Sequence, residues 1–151
     1  PEKRAELTTE GGLDVAGQLA SLTDYVSQLQ AAGIKVSLFI DPEDKQIEAA
    51  VNCSADAIEL HTGSYAEAGL AGKTDRVNVE LERIKNAVIT AKRVDSELLV
   101  NAGHGLTRDN VHAIAQIDGI YELNIGHALI ADALFVGIEQ AVIMMKTAMH
   151  R

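Results

Sequence analysis

Glu97-Leu-Leu-Val-Asn-Ala-Gly-His-Gly-Leu-Thr107 is a short apolar run that ends in a glycine–histidine turn. Asn110-Val-His-Ala-Ile-Ala115 follows and reads as helix. A glycine-rich turn that leaves a buried strand and opens a helix suits a phosphate, because backbone N–H groups point outward there and a helix N-terminus favours negative charge. His104 lies in the middle of that turn, so a titratable side chain neighbours the anion. The design recurs at Glu122-Leu-Asn-Ile-Gly-His127, again at the end of an apolar run.

Working outward, short apolar runs alternate with longer periodic segments. Val15, Leu19, Leu22, Val26 and Leu29 fall on one helix face, and Gly33 is a C-terminal stop. Strands are predicted near 34–40, 57–62, 97–102 and 121–125. Asp41-Pro42 predicts a helix start, with Asp as N-cap and Pro at the first helical position. Val77, Leu81, Ile84 and Val88 mark a long helix, Tyr65 to Thr74 is ambiguous, and a helix is expected from about 108. A final helix runs through Ile138, Val142 and Met145. Strands alternating with helices indicate βαβ units and a parallel sheet, either doubly wound or a barrel.

Strand faces separate the two. Glu59 and His61 oppose Ile58 and Leu60; Asn101 and Gly103 oppose Val100 and Ala102; Glu122, Asn124 and Gly126 oppose Leu123 and Ile125. Each strand has one apolar face, and the other turns polar toward its C-terminal end. An open sheet covered by helices on both sides is apolar on both faces. The pattern instead fits a (β/α)8 barrel with its active site at the C-terminal rim. Such a barrel takes about 250 residues, so the 151 residues here are read as a single domain forming the C-terminal half to two-thirds of one.

Composition narrows the function. Apolar residues make up 47% of the chain and the net charge is −9, which argues against the basic footprint of a nucleic-acid binder. No apolar run approaches the roughly 20 residues that span a bilayer. Cys53 is the only cysteine; it excludes an internal disulfide, suggests a reducing compartment and reads as a buried structural thiol. Glu59 and His61 on one buried face suit acid–base chemistry. His61, His104 and His127 could in principle converge on zinc, but glycine neighbours suit phosphate better, and no metal is expected. His112 and His150 are expected to be solvated.

Pro1-Glu-Lys-Arg4, Thr8-Thr-Glu-Gly-Gly-Leu-Asp-Val15, Val36-Ser-Leu-Phe-Ile-Asp41, Ile58-Glu-Leu-His-Thr-Gly63, Val100-Asn-Ala-Gly-His-Gly-Leu-Thr107 and Glu122-Leu-Asn-Ile-Gly-His127, in this order, resemble the pyridoxine 5′-phosphate synthase family. The resemblance implies a (β/α)8 barrel that joins 1-deoxy-D-xylulose 5-phosphate to 3-amino-2-oxopropyl phosphate and closes a pyridine ring. It implies a cytoplasmic homo-octamer with no metal or redox cofactor. It implies that His104 donates a proton and that Glu59 is catalytic. Gly105, Gly126 and His127 would bind the aminoketone phosphate, and Thr8 the deoxyxylulose phosphate. His61, Asn101 and Asn124 are supporting candidates. The family carries a further catalytic histidine and glutamate on strands before the position of Pro1, so this stretch alone is expected to be inactive. The rivals are another phosphosugar barrel, such as an epimerase or aldolase, and a non-catalytic phosphate-binding fragment. No lysine lies on a predicted inward strand end, which speaks against a Schiff-base aldolase.

Overall fold

Four parallel strands lie side by side in chain order: β1 (Ser37–Ile40), β2 (Ala57–His61), β3 (Leu99–Gly103) and β4 (Leu123–Asn124). The computed structural model describes residues 11–150. The helices are α1 (Leu19–Ala31), α2 (Asp44–Asn52), α3 (Gly63–Leu70), α4 (Thr74–Val94), α5 (Val111–Ala115), α6 (His127–Val136) and α7 (Ile138–Met149). Strict chain order with helical crossovers is the repeating βα pattern of a barrel wall.

The outward face of the sheet forms the core. Leu38, Ile40, Ile58, Leu60, Val100 and Ala102 are buried against Ile47 and Ala50 of α2 and Ile84, Val88 and Ala91 of α4. The predicted stripe of α4 therefore packs as expected. Its termini suit the macrodipole, with Asp75 in the first turn and Lys92 and Arg93 in the last. Glu80, buried on this helix, is paired by Arg76 at 3.2 Å and Arg83 at 3.3 Å. Cys53 is buried and free, as expected.

Several boundaries differ from the sequence reading. The first strand begins at Ser37 rather than 34, because Ile34 N–H donates to Leu29 O and Gly33 N–H to Gln30 O, closing α1 in a Schellman motif. The last strand shrinks from 121–125 to Leu123–Asn124, since Gly126 is already the N-cap of α6. The helix after β1 starts at Asp44, with Glu43 as N-cap. Asp41 does not cap it, because its carboxylate turns to His61 Nδ1, 3.5 Å away. The helix expected from about 108 is reduced to α5, since Asn110 Oδ1 accepts from Thr107 N–H at 2.7 Å and holds residues 107–110 in a turn. The ambiguous stretch from Tyr65 to Thr74 is helical to Leu70 in α3, turns at 71–73 and re-enters helix at Thr74, the start of α4.

The final helix through Ile138, Val142 and Met145 is α7, and an additional helix, α6, precedes it; the two are separated at Gly137 with φ +82 and ψ 155. Only glycine reaches that backbone region at low cost. A short additional helix after a late barrel strand is a familiar place for a phosphate site. His112 is half-buried rather than solvated, and its Nδ1 is buried without a hydrogen-bond partner. His150 is exposed. Among the described residues no helix is long and apolar enough to cross a membrane.

Candidate functional site

Strand register arranges the inward face in rows. Phe39, Glu59 and Asn101 are lateral neighbours; one step toward the carboxyl rim, His61 lies beside Gly103, which lies beside Asn124. Gly103 is needed there for room. A Cβ on it would collide with Glu59 Oε1 and sit 2.9 Å from the Asn124 carbonyl. Across that gap Asn124 Nδ2 donates to Glu59 Oε2 at 2.6 Å, linking β2 to β4 over the bare strand between them.

Glu59 has its pKa raised above the ordinary carboxylate value. Burial is the main cause, and the nearby Glu122 charge adds to it; the Asn124 hydrogen bond and His104 oppose it. A carboxyl held in this way is easier to protonate near neutral pH than a solvated one, which suits proton transfer. Asn101, buried below the rim, donates to Glu122 Oε1 at 3.4 Å, and its Oδ1 has no partner.

The turn after β3 is strained. His104 has φ +82 and Gly105 has φ +72. A non-glycine residue in the left-handed region costs on the order of 1–3 kcal/mol and persists where neighbours over-determine it. The neighbours here are specific. Fully buried Thr62 points its hydroxyl at the carbonyls of Gly103, at 2.7 Å, and His104, and its N–H donates to Gly103 O at 2.9 Å. Asn110 Nδ2 donates to Gly105 O at 3.1 Å, and Tyr65 Oη donates to Asn110 O at 2.8 Å. A Cβ on Gly105 would lie 2.7 Å from Ala66 Cβ, so glycine is required there twice over.

Glu59, Asn124, His104, Gly105, Gly126 and His127 line one cavity of about 690 Å³, joined by Phe39 and Thr107. The sequence-flagged residues from three strand ends thus meet around one space. His61 does not line it; it backs His104, ring against ring, with centroids 4.7 Å apart and planes at 27°. Thr8 lies outside the described residues. Among the described residues no group of three His, Cys, Asp or Glu could hold a metal ion.

Four contributors escaped the sequence reading. Phe39 meets His61 edge-on at 5.1 Å; Thr62 and Asn110 hold the strained turn. Arg108 reaches Asp132 of α6 at 2.8 Å, tying the β3 turn to the helix that follows β4. The Asn three residues after Thr107 was a visible turn signal. The Arg108–Asp132 pair left no local trace.

Four consecutive parallel strands, an apolar face under helices, and acid, imidazole and glycine groups at the carboxyl rim define a (β/α)8-barrel protein. Within that class the match is specific: the family model described as "Pyridoxal phosphate biosynthesis protein PdxJ" covers residues 1–151, and the chain belongs to that family. It is 53% identical over 146 residues to the pyridoxine 5′-phosphate synthase of Prochlorococcus marinus (strain MIT 9303). That alignment covers 97% of this chain and 57% of the relative, so the chain spans a little over half the length of that protein.

Proposed function

We propose that this chain contributes the carboxyl-rim half of a pyridoxine 5′-phosphate synthase site. The reaction condenses 1-deoxy-D-xylulose 5-phosphate with 3-amino-2-oxopropyl phosphate and closes the pyridine ring, releasing phosphate and water. One observation carries the reading: His104, Glu59 and the glycine turns at Gly105 and Gly126 face a single cavity. Joining an amine to a ketone and eliminating water need repeated proton transfer, which an imidazole and a perturbed carboxyl supply. In this reading His104 donates a proton and Glu59 serves proton transfer beside it. The turns at Gly105, Gly126 and His127, with the start of α6, hold the aminoketone phosphate through backbone N–H groups. Thr8 is assigned to the deoxyxylulose phosphate by family resemblance. Four strands cannot close a barrel, so turnover calls for further strands to complete the site.

The proposed assembly is a cytoplasmic homo-octamer. Leu134 and Phe135 of α6, 81% and 89% exposed in this chain, offer apolar surface to such an assembly or to the further strands of the barrel. The reading is tested in the full-length protein by His104→Asn, with pyridoxine 5′-phosphate formation as the assay. A loss of about 10²-fold or more in turnover is expected for an essential proton donor. Unchanged turnover would remove His104 from that role, and tight binding of both substrates without product in the parent protein would favour a non-catalytic site.

A further inference from the structure

His61 is a second imidazole at the rim, outside the cavity and with no part in the proton transfers above. Its surroundings are closely specified. Nδ1 faces the Asp41 carboxylate at 3.5 Å. Phe39 presses on the ring edge-on, at 5.1 Å and 68°. Its other ring partner is His104, at 4.7 Å and 27°, and Phe39 also reaches His104, with centroids 6.4 Å apart. Beneath both lies Gly63, the first residue of α3, whose missing side chain makes the space: a Cβ there would sit 2.6 Å from His61 Cε1 and 3.0 Å from His104 Cδ2. The other titratable groups around the pair are Glu59 on β2, Glu122 beside β4 and His127 at the start of α6.

His104 itself sits on a strained backbone, φ +82, on a turn rather than a regular element. The hydrogen bonds of Thr62 fix its main chain but say nothing about its side chain. A ring on such a turn takes its orientation from its neighbours, and a functional side chain is only as precise as the shell that locks it. We infer that His61 is a positioning residue for His104: anchored by Asp41 and Phe39 and seated over bare Gly63, its ring sets the plane in which the His104 imidazole faces the cavity. The inference rests on the proposed role of His104 for its effect on turnover, but not for the stack itself.

Two substitutions in the full-length protein separate the possibilities. His61→Phe keeps a flat ring for the stack and removes the titratable nitrogens. His61→Leu keeps bulk and removes the flat ring. With Leu, kcat is expected to fall about ten- to a hundredfold while KM moves by less than about threefold, the signature of a misplaced reacting group rather than lost binding. With Phe, most of the kcat is expected to return. The ring-proton NMR signals of His104, read without substrate, should keep their ring-current displacement in the Phe variant and lose it in the Leu variant. That measurement tests the stack even in a protein that makes no pyridoxine 5′-phosphate. The inference is overturned if Leu leaves both kcat and the His104 signals unchanged. An equal kcat loss in the two variants, with the Phe variant keeping the His104 ring-current displacement, also overturns it, because the stack would then be intact and a chemical role of the His61 nitrogens would replace positioning.

Discussion

Gly103→Ala should damage both stability and site through a single methyl group. Gly103 is not among the glycines with positive φ, so the strand backbone accepts alanine and the effect is purely one of space. The new Cβ would sit 2.9 Å from the Asn124 carbonyl and 3.2 Å from Asn124 Cβ, and would collide with Glu59 Oε1. The carbonyl belongs to the β4 backbone and cannot rotate away, so an overpacking cost of about 1–3 kcal/mol applies. Glu59 can swing aside, but only by giving up its 2.6 Å bond from Asn124. Hydrogen bonds to charged groups contribute about 1.5–3 kcal/mol when buried, and less here because Asn124 is exposed. The expected total is about 2–4 kcal/mol, read by urea unfolding as a lower midpoint at constant slope. Gly69→Ala is the control: in α3, with nothing within 4 Å of its Cβ, it should stabilise by about 0.5–1 kcal/mol. A Gly103→Ala change below about 0.5 kcal/mol, with the Glu59–Asn124 bond intact, would refute the packing argument.

Other outcomes follow from the same contacts. Glu59 has a folded pKa raised above its ordinary 4.5, so the folded state disfavours its charge and stability declines as pH rises from there through the folded pKa. Glu59→Gln should therefore unfold at higher urea than the parent at neutral pH, with the gap closing below about pH 4.5; a gap that widens on acidification would reverse the sign. Ile58→Ala empties a fully buried site on the outer face and should cost about 2–5 kcal/mol in the same assay without altering the slope. Arg108→Ala breaks a partly exposed pair, so less than about 1 kcal/mol of stability is expected to go. Calorimetric titration of the full-length protein should nonetheless show weaker affinity for the proposed substrate 3-amino-2-oxopropyl phosphate, because the β3 turn is no longer tied to α6.

The alternation of Glu59 and His61 with Ile58 and Leu60 makes the inward face legible in the sequence alone, because a period of two admits one assignment once a side is apolar. The long stripe from Val77 to Val88 was equally unambiguous. Boundaries were less so. Asp41 and Pro42 carry strong helix-start chemistry, yet Asp41 is drawn to His61, a partner 20 residues on that no local rule foresees. The helix before Gly137 left no periodic stripe of its own, and the φ of Gly137 separates it from the one that follows. At the site, Glu59, His104, Gly105, Gly126 and His127 were visible as residue types at strand ends. Phe39, Thr62 and Arg108 were not, because their roles depend on which strand ends become neighbours, and an aromatic, a hydroxyl and an ion pair have no chemistry of their own to advertise.

The most direct test of the central claim is a crystal structure of the full-length protein with 3-amino-2-oxopropyl phosphate bound. The phosphate is predicted to lie within hydrogen-bond distance of the backbone N–H groups at Gly105, Gly126 and His127, with the carbon skeleton between Glu59 and His104. A phosphate seated away from the β3 and β4 turns, or a ligand that leaves Glu59 and His104 facing only solvent, would contradict it.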